Sequence, residues 1–74
     1  MPKLPRVSGR QAARALERAG FQVVRIHGDH ARLHNPETGR RTVVALTSQA
    51  LPVGTLASIL RQAGLSADEF RGLL

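Results

Sequence analysis

The sequence predicts an α+β domain, ordered α-β-β-β-α with a short extra helix at its C-terminal end. Three observations carry that expectation. Two segments repeat apolar residues at helical spacing, and each closes on a glycine. Between them lie three short strand-like runs, the first and third rich in Val, Ile or Thr, separated by compact turn signals. Short connections between such runs join them as a three-stranded antiparallel meander, with the helices gathered on one face and the other face open. The 74 residues suffice for a single domain, 1–74, with a modest core.

Residues 1–7, with Pro2 and Pro5, read as an extended lead-in. Ser8 is a helix N-cap, and Gln11 three residues on completes a capping box. Ala12, Leu16 and Ala19 form a narrow apolar stripe that Gly20 ends. Arg10, Arg14 and Arg18 recur along the same helix, either as a solvated face or as a binding stripe. Residues 21–27 read as the first strand, Gly28-Asp29 as a tight turn, residues 30–34 as the second strand, and residues 40–46 as the third. The loop 35–39 between the last two holds Asn, Pro and Gly. After a polar connection over 47–51, Pro52 suits the start of a second helix, where Leu56, Ile59, Leu60 and Ala63 share one face and Gly64 closes it. Ser66 and Glu69 make a second capping box and open a short last helix with Phe70, Leu73 and Leu74. The expected core is Leu16, Ala19, Phe21, Ala31, Leu33, Leu56, Ile59, Leu60 and Phe70.

Composition removes several kinds of chemistry. There is no cysteine, so disulfides and thiolate catalysis are excluded and any zinc site would rest on His and carboxylates. No His-x-x-x-His helix motif appears, since His30 and His34 are spaced along a strand face, and neither a metal nor another cofactor is expected. No apolar run has membrane-spanning length and no signal-peptide core is present, so the chain reads as cytoplasmic, without a membrane partner. Beginning at Met1, it reads as a whole gene product. Phe21 and Phe70 are the only aromatics, which disfavours RNA binding by a platform of stacked rings.

The net charge is +6, and its placement is uneven. Residues 1–41 hold nine basic groups (Lys3, Arg6, Arg10, Arg14, Arg18, Arg25, Arg32, Arg40, Arg41) against Glu17, Asp29 and Glu37, so this part carries all six units. In the remainder Arg61 and Arg71 balance Asp68 and Glu69. A basic half calls for an anionic partner, nucleic acid first and an acidic protein second.

The most informative stretch is Gly28-Asp29-His30-Ala31-Arg32-Leu33-His34. If Ala31 and Leu33 face the core, strand alternation sends His30, Arg32 and His34 to the opposite face. That stripe is either a solvated strand face or a place to hold phosphate and move a proton. His30 can serve as base or acid, and Arg32 can hold the charge of a phosphorane-like transition state. Asp29 either orients the imidazole or simply forms the turn. His34 lies roughly 13 Å along the strand from His30, which suits phosphate or partner contact better than a joint acid–base role. His27, at the turn edge, reads as a solvated loop residue within swinging reach. One of Arg40 and Arg41 should share the exposed face, and Arg14 and Arg18 are further candidates for RNA contact.

At this point the residues resemble a known family, the HicA toxins, small RNA-cleaving partners of HicB antitoxins. The likeness runs over almost the whole chain: Leu4-Pro5 with Ser8-Gly9, the helix ending Ala19-Gly20-Phe21, Gly28-Asp29-His30 where HicA proteins show Gly-Ser-His, and Arg41-Thr42-Val43-Val44. Leu51-Pro52, Gly54-Thr55-Leu56 and the run from Ile59 to Ser66 look like the family's C-terminal signature. The resemblance implies a fold like that of double-stranded-RNA-binding domains (dsRBD-like) and cleavage of mRNA centred on His30, with Gly28 and Asp29 in support. It also implies a HicB-like antitoxin as protein partner; the free chain is expected to be monomeric. Two departures stand out: Asp29 replaces the family's Ser, and Val44-Ala45-Leu46-Thr47 stands where many members read Val-Pro-Val-His. A non-catalytic or weakened RNA-binding module of the same fold is the alternative reading.

Overall fold

Both capping boxes form in the computed structural model, which describes residues 4–74; Pro2 and Lys3 of the lead-in lie outside them. Ser8 Oγ accepts from the Gln11 N–H at 3.1 Å while Gln11 Oε1 accepts from the Ser8 N–H at 2.8 Å, and helix α1 (Gly9–Arg18) follows. Ser66 and Glu69 repeat the exchange at 3.0 and 2.9 Å before helix α3 (Ala67–Gly72). Helix α2 (Val53–Ala63) begins after Pro52 and ends at Gly64, whose φ of 75° is the left-handed conformation a helix stop requires.

Between α1 and α2 run strands β1 (Gln22–His27), β2 (His30–His34) and β3 (Arg41–Ala45). They form one antiparallel sheet in the order β1-β2-β3, so the strand carrying His30 is the middle one. The α+β order is therefore the expected one. Ala31 and Leu33 of β2 and Thr42 and Val44 of β3 turn inward and are buried, while His30 and Arg32 are exposed and His34 is half-buried. The core is the expected one with one exception: Ala19 sits half-buried at its rim. Val7, Ala12, Ala13, Ala15, Val44, Leu51 and Ala63 complete it. The one buried hydroxyl of the sheet, on Thr42, donates to Gln62 Oε1 at 2.7 Å and so stitches β3 to α2.

Helix α1 meets the end of β3 at very short range. A methyl group on Gly9 would lie 1.6 Å from the Ala45 carbonyl oxygen, and the Arg10 N–H donates to the Thr47 carbonyl at 3.2 Å. Only a residue without a Cβ fits there. On the next stretch of chain, Ser8 pairs with Ala50 and the Leu51 N–H donates to the Val7 carbonyl at 2.7 Å, which ties the lead-in to the connection after β3.

Strand β1 departs from its sequence reading in two ways. Phe21 is buried just ahead of the strand rather than within it. The register also slips between Val23 and Arg25, so Val24 is an extra, bulged residue. The helices pack chiefly over β3, and β1 overhangs them. Val23 and Ile26 pair with the inward residues Leu33 and Ala31, yet they remain 38% and 57% exposed.

Candidate active site

His30 is the first residue of β2 and follows a two-residue turn. Gly28 has φ 64° and Asp29 has no positive φ, the pattern of a type II′ hairpin turn, whose twist matches that of the strands it joins. The turn is also held by the segment that follows β3, because the Leu46 N–H donates to the Asp29 carbonyl at 2.6 Å. Asp29 Oδ1 lies 2.9 Å from His30 Nδ1, with the two side chains 65% and 61% exposed. So exposed a pair adds little to stability. Its consequence is orientation: a proton on Nδ1 would point at Asp29, and Nε2 would be the ring nitrogen left to a further partner.

The hairpin register brings a second imidazole alongside. His27 is the direct cross-strand partner of His30, and both stand on the outer face of the sheet. Directly opposed residues place their Cβ atoms ~5 Å apart. Residues flanking a two-residue turn must pair, so the sequence already held this signal, although His27 reads there as a loop residue. Along the same face Arg25 opposes Arg32 on one side and Val43 opposes it on the other; Arg41 opposes His34. The face thus gathers His27, His30 and His34 with Arg25, Arg32 and Arg41, and Asp29 is the carboxylate beside them.

The other candidates lie elsewhere. Of the Arg40–Arg41 pair it is Arg41 that shares the exposed face; Arg40 lays its side chain against Gly64, where a methyl group would come within 2.5 Å of its Nε. A cation there meets the carbonyl end of α2, which favours positive charge. Arg18 Nη1 donates to the Leu73 carbonyl at 2.7 Å and ties α3 back to α1, and Arg10 Nε donates to the Leu46 carbonyl at 3.4 Å. Arg14 borders a shallow hollow with Gln11, Arg18 and Leu74. Arg14, Arg18 and Arg40 therefore do not join the face that carries His30. Among the described residues no three His or carboxylate side chains converge as metal ligands would.

Residues 9–65, from the first residue of α1 to the segment after α2, match the family described as HicA toxin of bacterial toxin-antitoxin. The chain belongs to the HicA toxin family. No curated protein matches it. The match takes in the whole sheet, so His30 and its turn belong to the HicA portion, and α3 lies outside it. Membership makes the chain the toxin of a toxin–antitoxin pair and gives it an antitoxin as partner. Among the described residues of this HicA protein, no helix is long and apolar enough to cross a membrane.

Proposed function

We propose that this HicA toxin is an endoribonuclease that cleaves mRNA with His30 as its central proton-transfer group. The observation that carries the reading is the exposed imidazole of His30, held through Nδ1 by Asp29 and paired across the turn with His27. RNA brings its own nucleophile. One imidazole takes the proton of the 2′-OH, whose oxygen attacks the adjacent phosphorus. The bond from phosphorus to the 5′-oxygen breaks, and the second imidazole, entering protonated, gives that oxygen its proton. The products are a 2′,3′-cyclic phosphate and a 5′-OH. Arg32 and Arg25, always cationic, stabilise the charge that gathers on the phosphoryl oxygens.

A chimeric oligonucleotide tests the reading. The purified chain should cut a single-stranded RNA and leave cyclic phosphate ends, and should leave uncut the same oligomer made with 2′-deoxyribose at the cleaved position. Equal cutting of both would remove the 2′-OH mechanism; binding without any cutting would favour the non-catalytic module.

Affinity should fall with salt. Three Arg side chains meeting three phosphates of a single strand give a log–log slope of about −2, and Arg32→Ala should make it shallower by about 0.7. A binding isotherm indifferent to salt counts against a phosphate-reading face.

Masking is the simplest way for a HicB-like antitoxin to silence this site. A carboxylate set against Arg32 would bury the cation and cover His30 in one contact. In the free chain His30 should react readily with a histidine-acylating reagent, and in the antitoxin complex it should be protected. Equal reactivity in the two states would mean inhibition by another route.

A further inference from the structure

The outer face of the sheet is not flat at its far end. An open groove of about 520 Å³ lies there, and its lining includes Val24, Arg32, His34, Arg41, Val43 and, at the rim, Gln62 of α2. No carboxylate borders it. Its composition is unusual for a solvated strand surface, since two valines that are 59% and 45% exposed stand on β1 and β3 on either side of Arg32, with Arg41 and His34 beyond. Val24 is the bulged residue of β1, and a bulge re-aims a side chain that regular pairing would place elsewhere. Val24 thus owes its place to a break in the ladder, whereas Val43 stands in regular register opposite Arg32.

The groove meets the His30 site at Arg32 and runs from there toward His34 and Arg41. His34 lies four residues along β2, ~13 Å at a strand's rise. A strand stacked as in a duplex advances ~3.4 Å per nucleotide, so the groove lies within about four nucleotides of a bond held at His30. The cations suit phosphate, and the exposed valines suit the flat face of a base. Arg guanidinium planes serve both, pairing with phosphate and stacking on rings, which matters in a chain without an exposed aromatic. A duplex keeps its base faces stacked inside and would leave the valines unused.

We propose that this groove is a nucleobase subsite, holding one unpaired nucleotide of the RNA against Val24 and Val43 with its phosphate on Arg41, and thereby selecting which bond reaches His30. The inference rests on the RNA-cleaving reading above and adds to it a determinant of sequence or position preference.

The test is an abasic scan. A single-stranded oligoribonucleotide with one mapped cleavage site is remade with each base removed in turn, leaving the backbone intact. With the wild-type chain, removal at one position within about four nucleotides of the cut should lower kcat/KM about five- to tenfold, on the low side of base-stacking losses. Val43→Ser should slow cleavage of the intact oligomer by a similar factor and show no further loss on that abasic one, because the lost contact is the same. A flat scan, or equal Val43→Ser penalties on both oligomers, overturns the subsite. If the wild type binds the series without cutting, anisotropy replaces the rate as readout. The same base dependence then keeps the subsite and rejects the nuclease reading, and absence of RNA binding rejects both. Capture of an oligo-glutamate peptide in preference to the RNA, lost in Arg41→Ala, would reassign the groove to a protein and overturn the inference.

Discussion

Replacing Gly9 by alanine should cost the protein most of its stability. The added methyl would sit 1.6 Å from the Ala45 carbonyl oxygen, less than half the ~3.5 Å that non-bonded heavy atoms keep. Its neighbours at 2.8 and 3.0 Å, the Ala45 carbonyl carbon and the Thr47 nitrogen, are backbone as well and cannot rotate away. Relief requires α1 to lift from β3, which breaks the bond from Arg10 to Thr47 and opens the packing of Ala12, Ala13, Ala15 and Leu16. Overpacking commonly costs about 1–3 kcal/mol and more where the backbone must shift, so about 3 kcal/mol is a fair lower bound. A chain of this length holds about 4–11 kcal/mol in all. The unfolding midpoint should fall by at least ~12 °C, or the protein should fail to fold. Gly54→Ala is the control: nothing lies within 4 Å of its Cβ position in α2, and a gain of up to about 1 kcal/mol is expected. Equal midpoints for the two variants would show that the close approach of α1 to β3 is wrong.

The second large effect is on activity alone. His30→Ala should abolish growth arrest on induced expression and lower RNA cleavage about 10²- to 10⁴-fold, the range for losing a general acid or base. Its thermal midpoint should stay near that of the wild type, because the side chain is 61% exposed and substitutions at such positions cost little. Asp29→Asn keeps the turn but weakens the hold on Nδ1, so it should fall between wild type and His30→Ala. Toxicity undiminished in His30→Ala would move the catalytic centre to another residue, with His27 the first to examine. His30→Ala inactive because unfolded would be seen at once in the melting curve.

How much of this was legible beforehand depended on the range of the forces involved. The capping boxes at Ser8 and Ser66 are contacts over three residues, and they read directly from the string. The outward stripe of His30, Arg32 and His34 also read directly, because Ala31 and Leu33 between them can only face the core. Long-range contacts did not read. Gly9 looks like any glycine at a helix start until Ala45 arrives against it from 36 positions along the chain. Arg18 and Arg40 looked like members of a cationic surface, and each turns out to end on a backbone partner or a helix end distant in sequence. The bulge at Val24 has no local signature, since Val-Val-Arg-Ile reads as plain strand. The exposure of Val23 and Ile26 follows from how far the helices extend over the sheet, which strand composition does not encode.

The middle position of β2 has a consequence for genetics. Its side chains alternate between polar and apolar, with a hydrogen-bonded neighbour on each side. Losing one residue from such a strand sends everything beyond the break to the opposite face. A single-codon deletion within residues 30–34 would therefore turn polar side chains toward the core or apolar ones toward water, and would remove fold and site together. Selection of survivors after induced expression should return in-frame one-codon losses in this window more often than in the loop 35–39 or in α3, where a lost residue is absorbed locally. Sequencing such survivors reads out the register of the middle strand in living cells, with no purified protein.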